Sequence, residues 1–267
     1  MADYLTRTLS RTINQLLLLF GGIFLLAFLL CTVASQIRGA GESAFGRGYY
    51  YFVAPGVVCH ETGHALGCLL TGTKIIHYEP FRPQGRELGH VIYQRHNGNL
   101  LWQITEFVIA FGPIWFGCLM INILTRCFGK HAKHLSFETC FPGDIFPSSR
   151  SYWLGTIKAA GRMLFDVVRL WKWKSSLDIV YLYLVFCIAS EMGLSETDFA
   201  GLGTGMLLIC AFFLVLNIVP AIGMKVSDWT FRMCKYLFVV HSIMLFVLII
   251  DILFVLLFVW PIRFFFR

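Results

Sequence analysis

Long uncharged runs separated by short polar breaks set the pattern of this chain. Residues 12–37 hold no Asp, Glu, Lys or Arg, and largely apolar runs cover residues 50–72, 107–125, 179–190, 199–224 and 236–262. A helix rises about 1.5 Å per residue, so about 20 apolar residues cross a hydrocarbon core of about 30 Å. The expectation is an all-α polytopic membrane protein with about six transmembrane helices, forming a single membrane-embedded domain over residues 1–267. The first run is longer than the roughly 7 to 15 apolar residues of a signal-peptide core and reads as an uncleaved helix. The fourth is short, and spans only if its helix extends past Asp178 and Glu191 or lies among other helices.

The breaks carry their own predictions. Residues 39–48 read as a short glycine-rich connection. Over residues 74–99, Pro80, Pro83, Gly85 and Gly89 interrupt any helix while His90-Val91-Ile92-Tyr93 reads as a strand, so a β-hairpin or re-entrant loop is expected. Gly112-Pro113 falls near the start of the third run, where neighbours must satisfy the carbonyl that a proline frees. Residues 126–174 read as a basic loop, marked by Pro142, Gly143 and Pro147, followed by an interfacial amphipathic helix. Its apolar stripe is Ile157, Leu164, Val168 and Trp171, and its basic one Lys158, Arg162, Arg169 and Lys172. The Lys and Arg residues of this region favour a cytoplasmic location and so an N-terminus outside, whereas Arg7 and Arg11 argue the opposite way.

Composition agrees with the pattern: 57% of the residues are hydrophobic and 14% charged, against about 25% charged in a soluble domain. The net charge of +7 is therefore read as membrane orientation and contact with anionic head groups, with no nucleic acid partner. Nine cysteines without a CxxC pair read better as small buried hydrophobes, and they support neither a disulfide framework nor a cysteine metal cluster.

Candidate chemistry sits in the second run, in Cys59-His60-Glu61-Thr62-Gly63-His64. Residues four apart share a helix face, so His60 and His64 can reach one metal ion. Glu61, one residue round the helix, is placed to take a proton from a water activated by that metal, the general-base role in zinc peptidases. Ionisable residues in such an apolar segment are costly and point to function, although hydrogen bonding between helices or a purely structural metal would also account for them. Gly63 and Gly67 allow another backbone to approach closely, as in ordinary helix packing.

A catalytic zinc usually has three protein ligands, so two histidines leave one to find. Glu106, Asp178, Glu191, Glu196, Asp198, Asp228 and Asp251 all lie in or near spans, and spacing alone does not choose among them. Ser195 and Asp198 also fit a helix N-cap with an acid in the first turn. His77, His90 and His96 read better as polar loop residues than as ligands, and His241 and Asp251 as packing residues.

The segment from Pro55 to Leu66, with Leu70-Thr71-Gly72 after it, resembles the metal-binding helix of site-2-protease-type intramembrane zinc metallopeptidases and their small prokaryotic relatives. Ala110-Phe111-Gly112-Pro113 with Gly117 is similar to the Gly-Pro element of their next span. Small relatives of this kind take a third ligand from a late Ser-x-x-Asp, which Ser195 to Asp198 resembles, so the resemblance implies Asp198 as that ligand. The chain departs from the larger members: Asn217-Ile218-Val219-Pro220 matches their NxxP, but Lys225 stands where they carry Asp, and Asp228 becomes the rival. Geometry adds an objection. His64 is eight residues from Gly72, about 12 Å of rise, so Asp198 reaches it only if the fifth helix starts deep or the metal sits nearer that surface.

These features lead to the expectation of a zinc-dependent endopeptidase that cleaves a transmembrane protein or peptide substrate within the lipid bilayer. Glu61 would be catalytic, His60, His64 and Asp198 would hold Zn2+, and Asn122 or Asn217 would assist the oxyanion. The strand at residues 90–93 would pair with an unwound substrate segment, unless the region is a simple extramembrane loop. The alternative is a non-catalytic scaffold or metal-sensing protein with a peptidase-like fold. A di-iron hydroxylase would need several histidine boxes, and only Lys130-His131-Ala132-Lys133-His134 comes near a second.

Overall fold

The computed structural model describes residues 2–83, 88–95, 100–128, 149–170 and 176–261. The first apolar run becomes helix α1 (Ala2–Leu16), a π-turn (Leu17–Gly21) and helix α2 (Gly22–Phe45), which follow one another without a break. The expected connection at residues 39–48 is thus corrected: the glycines at 39 and 41 stay helical, and only Gly46, at φ 52°, turns the chain into α3 (Arg47–Leu70). Positive φ costs glycine little, whereas other residues are strained there.

Two antiparallel strands follow, β1 (Ile75–Glu79) and β2 (His90–Tyr93), so the expected hairpin is present. It docks on α3 through a hydrogen bond between the Tyr78 and Thr62 hydroxyls at 2.8 Å and through buried Leu88, which packs with Val53 and Val57. Next come α4 (Leu100–Ala110) and α5 (Gly112–Phe128), so the chain breaks at Phe111 and Gly112-Pro113 open the second of two helices. The remaining elements are α6 (Ser149–Leu170), α7 (Ser176–Glu191), α8 (Glu196–Ile218) and α9 (Pro220–Phe254), extended by a π-turn at Val255–Val259.

The two C-terminal runs are also divided differently from expectation. Pro220 is the first residue of α9, and Val219 before it is extended at φ −90°, ψ 115°. A proline disfavours helix in the residue before it but suits a helix start, so the chain breaks at 219 rather than after residue 224. In α6 the stripe facing the protein is Tyr152, Thr156, Ala159, Ala160, Met163 and Val167, packed on α9, while Ile157 and Val168 are exposed. Ala159 and Ala160 allow a close approach, while Leu154, Ile157, Phe165 and Val168 point outward. Trp171, Lys172, His96, Gly85 and residues 129–148, with the expected loop and second histidine pair, lie outside the described residues.

Among the described residues, three helical stretches are long and apolar enough to cross a membrane: Asp3–Phe45, Trp102–Cys127 and Lys225–Val259. Exposed Leu25, Phe28, Phe212, Val215 and Leu257 give the surface large apolar side chains of the kind that a bilayer covers. The architecture is therefore helical and compatible with a membrane protein. By length, α7 has only 16 residues, and the apolar part of α8 covers Gly205–Ile218. Helix α3 packs against α4, α5 and α7, so the motif it carries faces several elements at once.

Candidate metal centre

Glycines decide how near those elements come. A Cβ on Gly63 would stand 2.6 Å from Pro113 N, and one on Gly67 would stand 2.8 Å from Ile109 Cα. The backbones of α3 and the α4–α5 junction therefore touch, which the small-residue spacing had suggested. On the other side, Gly56 lies against the Cys187 carbonyl of α7, leaving no room for a side chain.

These two contacts put a free carbonyl beside each histidine. Pro113 has no N–H to donate to the carbonyl four residues earlier, that of Ile109. His64 Nδ1 takes its place, donating to Ile109 O at 3.0 Å. Glu191 ends α7, where helical carbonyls lack intrahelical partners, and His60 Nδ1 donates to Glu191 O at 2.8 Å. A carbonyl can only accept, so both protons sit on Nδ1 and both Nε2 atoms present lone pairs.

The two Nε2 atoms face each other at 3.1 Å. Asp198 Oδ1 is 3.4 Å from His64 Nε2, and Oδ2 is 3.9 Å from His60 Nε2. With both rings neutral, three electron-rich atoms converge, an arrangement that repels unless a cation lies at its centre. Tetrahedral ligands at 2.0–2.2 Å from zinc stand about 3.3 Å apart, close to the spacing seen. The donor set of two imidazoles and a carboxylate therefore fits Zn2+.

Asp198 reaches the histidines because α8 starts beside them. The α7–α8 junction lies level with His60, as the bond to Glu191 O requires, which meets the objection raised by the length of α3. Asp198 also closes the cap expected at this helix start: its Oδ2 accepts from Ser195 N at 2.8 Å and from Ser195 Oγ at 2.7 Å. The two readings of this residue coexist, with Oδ2 holding the turn and Oδ1 directed at His64. Asp228 lines a different cavity with Arg7, Arg11 and Ser227.

A cavity of about 990 Å³ opens on this cluster. Its walls include His60, Glu61 and His64 of α3, His90, Val91 and Tyr93 of β2, and Arg38 of α2. The side chains of His60, His64 and Asp198 are 11 to 14% exposed, which leaves them reachable from it. Gly89 brings the hairpin against the motif, since a Cβ there would be 2.8 Å from Glu61 Cγ. Arg38 holds the Glu191 side chain at 2.5 Å, steadying the residue whose carbonyl orients His60. Neither expected oxyanion helper lines this cavity. Asn122 accepts from Arg126 Nε at 2.8 Å, and Asn217 donates to Gln15 at 2.7 Å and to Phe213 O at 2.9 Å. Sequence reasoning did not identify Ile109 O, because a backbone carbonyl leaves no residue type to read, although the position of Pro113 gives it by counting back four.

Comparisons with protein-family models, with characterised proteins and with solved structures found no match to this chain.

Proposed function

We propose that this protein is a zinc-dependent endopeptidase that hydrolyses a peptide bond of a membrane-protein segment inside a multi-pass helical bundle of about six spans. One observation carries the reading: two imidazole lone pairs and a carboxylate converge at the wall of a cavity that Glu61 also lines. His60, His64 and Asp198 would hold the metal, which when bound supplies Lewis-acid polarisation and makes water acidic enough to deprotonate near neutral pH.

Glu61 takes the proton from the attacking water and delivers it to the leaving amine. The Ile109 and Glu191 carbonyls keep both rings in the tautomer that ligation requires. Substrate must arrive extended, because a helical peptide bond has its carbonyl occupied. The sheet has two strands, β1 and β2, among the described residues, so one edge of β2 is without a strand partner. That strand also lines the cavity, which suits it to hold an unwound segment by main-chain hydrogen bonds.

Glu61→Gln keeps shape and removes the base. Proteomics of membrane-protein stubs in cells carrying either form should show products that disappear in the variant, while purified variant keeps its zinc. Cleavage at the same rate in Glu61→Gln would refute the mechanism. Retained zinc with no Glu61-dependent product in any assay would favour a metal-sensing scaffold.

A further inference from the structure

The hairpin carries a second group of metal-type side chains, outside the cluster just described. Residues two apart on a strand share a face, so His77 and Glu79 project together from β1. The register places His90 of β2 opposite Glu79. Glu79 Oε2 lies 3.7 Å from His77 Nε2 and 3.9 Å from His90 Nε2, and the imidazole centroids are 5.2 Å apart. One ligand atom from each of the three falls within 4.8 Å of the others.

From this geometry we infer a second divalent transition-metal site, formed by His77, Glu79 and His90, which staples β1 to β2. Two imidazoles with one carboxylate suit Zn2+, whereas Ca2+ and Mg2+ require more oxygen ligands. The two imidazole–carboxylate distances, 3.7 and 3.9 Å, exceed the roughly 3.3 Å of a tetrahedral site by about half an ångström, and the two imidazole ligand atoms lie within 4.8 Å of each other. That difference is within reach of a rotamer adjustment, because the His77 side chain is 55% exposed. Arg82 Nη1 also lies 3.3 Å from Glu79 Oε2. The carboxylate has two oxygens and about four acceptor positions, so it can serve the guanidinium and a metal together.

Placement gives the staple a consequence. His90, Val91 and Tyr93 line the central cavity, so a cation across the strands fixes the position of the β2 edge at that wall. The site itself does not depend on the catalytic reading, since it shares no residue with His60, His64 and Asp198.

The test is metal stoichiometry of the full chain in detergent, stripped with a chelator, reloaded with Zn2+ and measured by elemental mass spectrometry. Wild type should hold about two ions per chain, His77→Ala/His90→Ala about one, and His60→Ala/His64→Ala about one. X-ray absorption on zinc in the last variant should report two imidazole ligands. A fold check comes from His77→Gln, an exposed change that should keep the helical circular dichroism and still lose the second ion. Equal stoichiometry in wild type and His77→Ala/His90→Ala overturns the inference, as does zinc without imidazole ligation in His60→Ala/His64→Ala. Failure of the central site would instead appear as no loss in His60→Ala/His64→Ala, so the two outcomes are separable.

Discussion

Two histidine–carboxylate clusters border one cavity, the central one through His60, His64 and Asp198 and the hairpin one through His90, and they differ in what holds the rings. In the central cluster each Nδ1 is bonded to a carbonyl that a helix cannot use, one freed by Pro113 and one at the end of α7. The side chains are 11 to 14% exposed. On the hairpin, His77 and His90 face Glu79 without such carbonyl bonds among the described residues, and their exposure is 55% and 31%. Backbone orientation fixes the tautomer before a metal arrives, which is the preorganisation expected where chemistry is done. Side chains on a solvent-facing hairpin can adapt to a metal, which suits a structural clip better than a reaction centre.

The largest expected effect on this contrast comes from His60→Ala/His64→Ala, which should abolish cleavage and remove the central ion while leaving the hairpin ion in place. Zinc analysis and a cleavage assay on the same preparation read both. Gly63→Ala is next. Its added Cβ would stand 2.6 Å from Pro113 N, so overpacking should cost about 1 to 3 kcal/mol of stability and widen the gap between His64 and Ile109 O. Thermal unfolding in detergent would detect the first effect; unchanged stability would mean that the helices have room to separate.

Pro113→Ala restores an N–H that can compete with His64 for the Ile109 carbonyl. Zinc affinity at the central site should fall about 10- to 100-fold, as for loss of an orienting partner, with no change at the hairpin. An affinity equal to wild type, measured by competition with a chelator, would show that the carbonyl does not govern the ring. The smallest effect belongs to Asp228→Asn, which should leave zinc content at both sites unchanged. Loss of an ion there would return the third-ligand role to Asp228.

The helical character, the hairpin and the two histidines were legible because each follows from local pattern: apolar runs, paired turn residues and spacing of four. Helix boundaries were less so. Nothing local distinguishes a glycine-rich stretch that bends from one that stays helical, and Gly46 rather than its neighbours takes the turn. Pro220, by contrast, could have been read as a helix start. Asp198 emerged from resemblance and not from spacing, because its distance from His64 in the chain is bridged only when α7 is short enough for α8 to begin beside His60. The hairpin cluster was passed over as polar loop residues. Its signal was the alternation of His77 and Glu79, but pairing with His90 depends on strand register, which loop residues alone do not set.

The proposed role of Asp198 is to complete a metal site with His60 and His64, beyond capping a helix. Its most direct measurement is the zinc content of Asp198→Asn in a His77→Ala/His90→Ala background, where the central site alone can contribute. Asn retains a side-chain oxygen for the cap, whose loss would in any case cost only about 0.5 to 2 kcal/mol. That role requires the variant to be a folded helical protein that binds zinc far more weakly than the same background with Asp198 intact. Full zinc occupancy in the Asp198→Asn protein would contradict it.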